Sequence, residues 1–258
     1  MSGEANPFNS IQKVCAVLRV LGRRSPLRLT EIAGEAAINK ATAFRILSAL
    51  IDEGFVRRAG GGKTYELGEE ARALARSARS GIDLAELAQP SLLRLADRSG
   101  DTALLSVRTG LDALYVARAV GSYPLQPNYL QIGSRRPLGV GAGSLALLSW
   151  LPDAEIEAIL DIVVPRLANW PRISARFLRE RIATARRHGH TLLVDAAYGG
   201  MGGIGVPVRD ETGAVVAALS IGAATDRVTG REAALAELLK KEAKAMLRAM
   251  APRRLKQA

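Results

Sequence analysis

The chain has 258 residues, 48% of them hydrophobic and 24% charged, proportions that favour a globular protein with an ordinary core. Its 36 basic and 25 acidic side chains give a net charge of +11, which suggests an acidic partner such as nucleic acid or an anionic membrane. Cys15 is the only cysteine, so no intrachain disulfide can form, and neither a signal peptide nor a membrane-spanning run is visible. We therefore expect a cytoplasmic protein of two domains.

The positive charge is concentrated near the two ends of the chain. Residues 11–65 carry ten basic and four acidic side chains, whereas residues 81–239 carry 16 of each. Residues 240–258 carry seven basic side chains against one acidic residue, Glu242. The basic N-terminal segment beside a neutral one indicates where an acidic partner would bind.

Three short helices are predicted before residue 55. Ser10, Thr30 and Asn39 are expected to cap them, because short polar side chains satisfy the unpaired N–H groups of a helix start. Gly22 and Gly54 are expected to end the first and third helices. The positions predicted to face inward are Ile11, Val14, Leu18 and Leu21, then Ile32 and Ala33, then Phe44, Leu47, Leu50 and Ile51.

A hairpin and a linker helix are predicted to follow. Residues 55–58 and 63–67 have the composition of two short strands, and the glycine-rich residues 59–62 form a mobile tip between them. Residues 69–80 have helical composition but a weak apolar face, so we interpret them as a linker helix.

The second half of the chain mixes helices and strands. Because the predicted strands are joined by hairpins or long excursions, an antiparallel α+β sheet is favoured over a doubly wound one. The predicted strands cover residues 102–107, 113–119, 125–132, 204–208 and 215–221. The predicted helices cover residues 84–98, an apolar stretch from Gly141 to Leu151, residues 154–160, residues 174–188, and a final helix that Thr229 caps and that runs to about Met250.

The first 67 residues together predict a winged helix-turn-helix. The helix of residues 39–52 would bury one face and present Lys40, Thr42 and Arg45 at its exposed N-terminal half, where such helices reach base edges in the major groove. Arg45 has the fork geometry that reads guanine, and the helix start at Asn39 favours phosphate. The wing cations predicted to contact the DNA backbone are Arg57, Arg58 and Lys63.

The sequence resembles the IclR family of bacterial transcription regulators over roughly residues 10–250. The matching runs are Leu29-Thr-Glu-Ile-Ala33, the stretches 39–47, 52–57 and 65–68, then Pro137-Leu-Gly-Val-Gly-Ala-Gly-Ser-Leu-Ala-Leu-Leu148, residues 189–207 and residues 215–220. The resemblance implies a winged helix-turn-helix at residues 10–68, a linker helix at 69–80, and a GAF-like effector and oligomerisation domain at 81–258. It also implies dimers or tetramers that bind palindromic double-stranded operators.

The resemblance further implies a pocket for a small effector, often a metabolic or aromatic acid. A glycine-lined loop that leads into a helix N-terminus suits a carboxylate. The effector residues carried over from the family pattern are Leu130, Leu138, Gly141, Ala142, Gly143, Ser144, Asp195, Met201, Gly202, Gly203 and Ser220.

No cofactor, metal site or enzymatic activity is predicted. His188 and His190 lack a neighbouring cysteine or acidic residue at metal-binding spacing, so we interpret them as the end of a basic helix. Two alternatives stay open: an enzyme in the C-terminal half with the N-terminal half as a tether, and an architectural DNA binder with an empty sensor fold. Turnover by residues 81–258, or the failure of every ligand to stabilise the protein, would favour them respectively.

Overall fold

A computed structural model describes residues 9–60, 62–78 and 83–254 of the chain. The chain divides into two compact units, Met1–Gly81 and Ile82–Ala258. Helices and antiparallel strands occur in both units, so the α+β class predicted from the sequence is confirmed. None of the helices in the described ranges combines the length and the apolar character needed to cross a bilayer.

The N-terminal unit is a three-helix core with a small antiparallel sheet of strand order β1-β3-β2. Its buried cluster joins all three helices to the sheet, with Val17, Ile32 and Leu47 fully buried. The elements are α1 (Ser10–Arg23), β1 (Leu27–Arg28), α2 (Leu29–Glu35), α3 (Lys40–Asp52), β2 (Val56–Ala59), β3 (Thr64–Leu67) and α4 (Glu69–Ala78).

The predicted helix starts are partly wrong. Asn9, not Ser10, caps α1, because its side chain and that of Gln12 bond each other's backbone N–H groups in a capping box. The second helix begins at Leu29, ahead of Thr30, and Glu31 instead accepts the N–H of Arg28 at 2.8 Å. Asn39 caps α3 as predicted, with its Oδ1 accepting from the Thr42 N–H at 2.8 Å.

The predicted helix ends and inward faces also need correction. Gly22 lies inside α1, whereas Gly54 follows α3 with φ of 73°, the left-handed conformation expected just past a helix end. Ile11 is 72% exposed and Phe44 48% exposed, although both were predicted to face inward. Ala43 takes the inward position in α3, because successive helical residues differ by about 100° around the axis.

The C-terminal unit is a six-stranded antiparallel sheet of order β6-β5-β4-β9-β8-β7. One buried cluster packs α5 and α10 against one face, and a second packs α6, α7 and α8 against the other. The strands are β4 (Thr102–Thr109), β5 (Asp112–Ala119), β6 (Arg135–Pro137), β7 (Thr191–Val194), β8 (Met201–Arg209) and β9 (Val215–Ala224). The helices are α5 (Leu84–Ser99), α6 (Ala142–Ser149), α7 (Asp153–Val163), α8 (Ala175–His188), α9 (Thr225–Thr229) and α10 (Glu232–Arg254).

Two predicted features of this unit are wrong, and two short strands were not predicted. Residues 125–132 form turns instead of a strand, because Pro127 has no N–H to donate and its carbonyl accepts the Leu130 N–H at 3.1 Å. Thr229 does not cap the last helix, since it ends α9 and its hydroxyl donates to the Thr225 carbonyl. The strands β6 and β7 were missed because each has only three or four residues.

Candidate DNA-binding surface and ligand cavity

The third helix presents its N-terminal half outward. Ala43, Leu47 and Leu50 are buried, so the opposite side of α3 carries Ala41, Arg45 and Ser48. Lys40 and Arg45 are exposed, and no hydrogen bond or ion pair holds either side chain within the described part of the chain. Thr42 is half-buried and lies with Arg45 beside a groove that α1 shares. The Asn39 side chain is occupied by its capping bond.

The aromatic ring of Phe44 belongs to this outward surface, where the sequence did not place it. The side chain is 48% exposed. Along α3 it is next to Arg45 and one turn away from Lys40 and Ala41. An apolar ring on such a helix can contact a thymine methyl group. No pattern in the sequence separates this residue from a core phenylalanine, because hydrophobicity is the same in both settings.

The wing cations differ in how far they are already engaged within the unit. Arg57 forms an ion pair with Glu66 at 2.6 Å, across the β2–β3 pair. Arg58 donates to the Gly62 carbonyl at 2.5 Å and stacks over the Tyr65 ring. Lys63 is exposed and makes no such contact with the described residues. The predicted tip at residues 59–62 includes Gly61, which lies outside the described residues.

A cavity lies in the C-terminal unit, on the α6 side of the sheet. Its free volume is about 50 Å³, and about 450 Å³ of space lies between its walls when the open mouth is included. The walls come from the strands β4 to β9, the start of α6, and the segments before β6 and between β7 and β8. The residues that line it are Leu104, Tyr115, Tyr129, Leu130, Arg136, Gly141, Ala142, Gly143, Leu193, Ala197, Tyr198, Met201, Gly202, Gly203, Ser220, Ile221 and Gly222.

Arg136 is the one basic residue among those that line this cavity, and it is only 6% exposed. Within the described ranges its guanidinium has no hydrogen bond and no carboxylate partner. It lies 5.2 Å from the centre of the Tyr129 ring and 5.1 Å from that of Tyr198, and the two rings are 4.4 Å apart. Burying a cation without an anion costs free energy, and no negative group among the described residues balances the charge of Arg136.

The tyrosine hydroxyl of Tyr115 faces the same space. Burial raises the pKa of Tyr115, and the positive charge of Arg136 opposes that rise. The pKa of Tyr129 is raised for the same reason, by burial against the opposing effect of Arg136. Both phenols therefore stay protonated near neutral pH and can donate hydrogen bonds.

The N-terminus of α6 supplies further donors at the cavity. Every residue of this eight-residue helix is buried, which holds its first turn against the sheet. A Cβ on Gly143 would lie 2.8 Å from Ser220 Oγ and 2.9 Å from Ser106 Oγ, so only glycine allows this close approach. The Ser106 hydroxyl is buried and has no hydrogen-bond partner in the part of the chain that the structure describes. The first-turn N–H groups and the Ser220 hydroxyl make this end of the cavity polar.

The structure brings eight of the eleven predicted effector residues to the cavity and places Leu138, Ser144 and Asp195 elsewhere. Leu138 is fully buried in the core under α6. The Ser144 hydroxyl donates to the Pro137 carbonyl and accepts from the Gly139 N–H, which ties the loop to the helix. Asp195 anchors the β7–β8 connection by accepting from the Gly200 N–H and the Thr225 hydroxyl.

Reasoning from the sequence missed Arg136 and the three tyrosines of the cavity. The available signal was composition, because aromatic residues are only 4% of the chain and three of its five tyrosines meet here. Arg136 carried no such signal, because the adjacent Arg135 has the same side chain. Only the pleat of β6, which the sequence did not predict, turns Arg136 inward and Arg135 outward.

The outward face of α3 and the cavity of the C-terminal unit together define a class of protein. It is a regulator that binds DNA through a winged helix-turn-helix and a small molecule through a separate sheet domain. Family comparison agrees. The IclR helix-turn-helix model matches residues 10–60, and the C-terminal model of bacterial IclR transcriptional regulators matches residues 76–248. The chain belongs to the IclR family of transcriptional regulators, with an effector-binding C-terminal domain.

Individual relatives are similar along most of their length. The transcriptional regulator XynR of Escherichia coli is 26% identical over 229 residues, covering 88% of this chain and 90% of the relative. The regulator KdgR of Dickeya chrysanthemi is 28% identical over 225 residues, covering 87% of this chain and 73% of the relative. An IclR homolog of Microbacterium hydrocarbonoxydans, solved with 4-hydroxybenzoate, shares the fold with a TM-score of 0.75 at 23% identity, covering 95% and 100% of the two chains.

Proposed function

We propose that this regulator responds to a small organic acid whose carboxylate binds Arg136 at the start of α6. The single observation that carries the proposal is the buried guanidinium of Arg136, which has no anion among the described residues. A bound carboxylate would supply that anion and accept the first-turn N–H groups of α6. The 4-hydroxybenzoate held by one structural relative is an acid of this class.

The rest of the cavity favours an acid with an aromatic or apolar body. Leu104, Leu130 and Ile221 offer apolar walls, while the Tyr129 and Tyr198 rings stand beside Arg136 at the exposed side. The Ser220 hydroxyl provides a polar contact near the start of α6. The effector residues that we propose on this basis are Tyr115, Tyr129, Leu130, Arg136, Gly141, Ala142, Gly143, Tyr198, Met201, Gly202, Gly203 and Ser220.

A thermal-shift screen that pairs each acid with its primary amide tests the proposal. An acid present at about 100 times its Kd should stabilise the protein by about 2.7 kcal/mol, which is a rise of several degrees in Tm. The matching amide keeps the shape but lacks the charge, so it should give little shift. If the amides stabilise the protein as much as the matching acids do, the unpaired cation of Arg136 is not what anchors the ligand.

For the N-terminal unit we propose that α3 lies in the major groove, with Arg45 reading a base and Lys40, Thr42 and Phe44 making adjacent contacts. Arg45 and Lys40 are exposed and have no partner among the described residues, which supports this placement, and so does the exposed ring of Phe44. Lys63 would contact the backbone from the wing, with Arg57 and Arg58 partly committed to Glu66 and Gly62.

We also propose the organisation that the resemblance implies. A winged helix-turn-helix at residues 10–68 and a linker helix at 69–80 would precede an effector and oligomerisation domain at 81–258. A dimer or tetramer would place two α3 helices on a palindromic operator. The effector would shift the population between a state in which the spacing of these helices matches the operator and a state in which it does not. Such a protein would act in the cytoplasm and would carry out no turnover.

Arg45→Ala should weaken operator binding by roughly 5-fold to 150-fold, since a bidentate base contact is worth about 1–3 kcal/mol. Its binding to random DNA should change much less. Lys63→Ala is the matched control from the same unit, because a phosphate contact serves both DNAs equally and its loss flattens the salt dependence. The measurement is Kd on both DNAs across a salt series, with equal losses for Arg45→Ala on both counting against base reading.

A further inference from the structure

A cluster of metal-ligating side chains lies outside the cavity, where α8 ends and α10 begins. His188, His190 and Glu232 each direct a ligand atom into one place, and these atoms all lie within 4.8 Å of one another. None of the three lines the cavity described above. The sequence argument against a metal here was the lack of a nearby acidic residue, and the fold supplies one from 42 residues further along the chain.

The local backbone explains why the two imidazoles meet. Gly189 ends α8 with φ of 72°, and this left-handed residue turns the chain sharply between His188 and His190. The two rings are 5.8 Å apart as a result. Glu232 is in the first turn of α10, which packs on the face of the sheet opposite to α8.

The hydrogen bonds of His190 prepare its Nε2 atom for a ligand. Its Nδ1 lies 3.2 Å from the His188 carbonyl, which can only accept, so Nδ1 carries a proton. Its Nε2 lies 2.8 Å from Glu232 Oε1. A metal ion would replace the proton between these two atoms, while the backbone carbonyl continues to orient the ring.

We propose that His188, His190 and Glu232 bind a divalent transition-metal ion of the Zn²⁺ class. Two imidazoles and one carboxylate form a donor set that suits Zn²⁺, with the remaining position left to water. His190 is 9% exposed and Glu232 is half-buried, so two of the ligands are held in place before the ion arrives. His188 is exposed and can swing onto the ion.

Two of the cations near this cluster, Arg231 and Lys240, are already paired with other carboxylates. Arg231 precedes Glu232, but its guanidinium is paired with the buried carboxylate of Asp101. Lys240 lies close to Gly189 and forms an ion pair with Glu237 at 3.0 Å. The charged group in hydrogen-bond contact with His190 is the carboxylate of Glu232, at 2.8 Å from Nε2.

The test uses the full chain without a polyhistidine tag and measures Zn²⁺ affinity by competition, with Co²⁺ absorption as a second readout. One equivalent of Zn²⁺ should bind per chain. His188→Ala and Glu232→Gln should each weaken binding at least about tenfold, since even the loss of groups behind the ligands costs about 10-fold to 100-fold. Both replaced side chains are at least partly exposed, so the variants should keep the fold, which circular dichroism would check.

Two variants serve as matched controls. Glu180→Gln removes the same charge at an exposed position of α8, about two turns before His188, and should leave the affinity unchanged. Cys15→Ser removes the one thiol of the chain and should also change nothing. The proposal is overturned if no stoichiometric ion binds, if either His188→Ala or Glu232→Gln binds like the wild type, or if a control loses the ion.

Discussion

Arg136→Met should remove most of the stabilisation that small organic acids give, while the unliganded protein stays at least as stable as the wild type. Loss of a buried charge pair costs about 2–4 kcal/mol, so the Kd for an acid should rise roughly 30-fold to 1,000-fold. Methionine keeps much of the volume of arginine but removes a buried cation that has no anion in the described chain. Thermal shifts and calorimetric Kd values, with 4-hydroxybenzoate as one probe, measure both effects.

Arg135→Met is the control for this experiment. Arg135 precedes Arg136 on β6 but is only partly buried, and its guanidinium donates to the Thr109 hydroxyl at 3.3 Å. We expect this variant to bind acids like the wild type, because its side chain does not line the cavity. A variant of Arg136 that keeps full affinity, or that unfolds where Arg135→Met does not, would show that the buried cation is structural.

The N-terminal unit could be predicted closely because its signals are local. The cap Asn39 and the terminator Gly54 act on the N–H and carbonyl groups of the adjacent turn, so sequence alone located these two, although the caps of α1 and α2 were misplaced by one or two residues. The error at Phe44 has a different origin. A phenylalanine on a surface that a partner covers is chemically the same as one in the core, so periodicity cannot separate the two roles.

The C-terminal unit and its cavity were harder, because their determinants are long-range. The sheet pairs β4 with β9, and Leu104 with Ser220, across more than a hundred residues. Arg136 becomes a buried cation only because Tyr129 and Tyr198 arrive from two separate connections. The glycines at the start of α6 carried a local signal, and the resemblance placed them correctly at the cavity wall.

A second long-range polar contact connects the first and last helices of the C-terminal unit. Glu242 of α10 is 3% exposed, and Arg94 of α5 binds it with Nε at 3.1 Å and Nη2 at 2.7 Å. Burial alone would raise the pKa of Glu242, but the hydrogen bonds from Arg94 and Ser91 lower it below its ordinary value. The buried carboxyl group of Glu242 therefore stays ionised because Arg94 is present.

Arg94→Met should destabilise the C-terminal unit by about 3 kcal/mol at neutral pH, because it leaves the buried Glu242 charge unpaired. In the wild type the folded-state pKa of Glu242 is depressed, so the stability from this group is present above its unfolded pKa. That stability is lost as pH falls through the lower folded pKa. Without Arg94 burial raises the pKa of this carboxyl, so it becomes neutral as the pH falls, and the stability gap between variant and wild type should be smaller at pH 4 than at pH 7.

The double variant Arg94→Met/Glu242→Met separates a buried ion pair from a mere packing contact. Replacing both partners with apolar side chains leaves no unpaired charge, so most of the stability lost by Arg94→Met should return. Urea unfolding of the wild type, both single variants and the double variant at pH 7 and pH 4 measures this coupling. The exposed Arg176–Glu180 pair is the control, since removing Arg176 should change little. If Arg94→Met is as harmless as that control, α5 and α10 are held together by their apolar contacts alone.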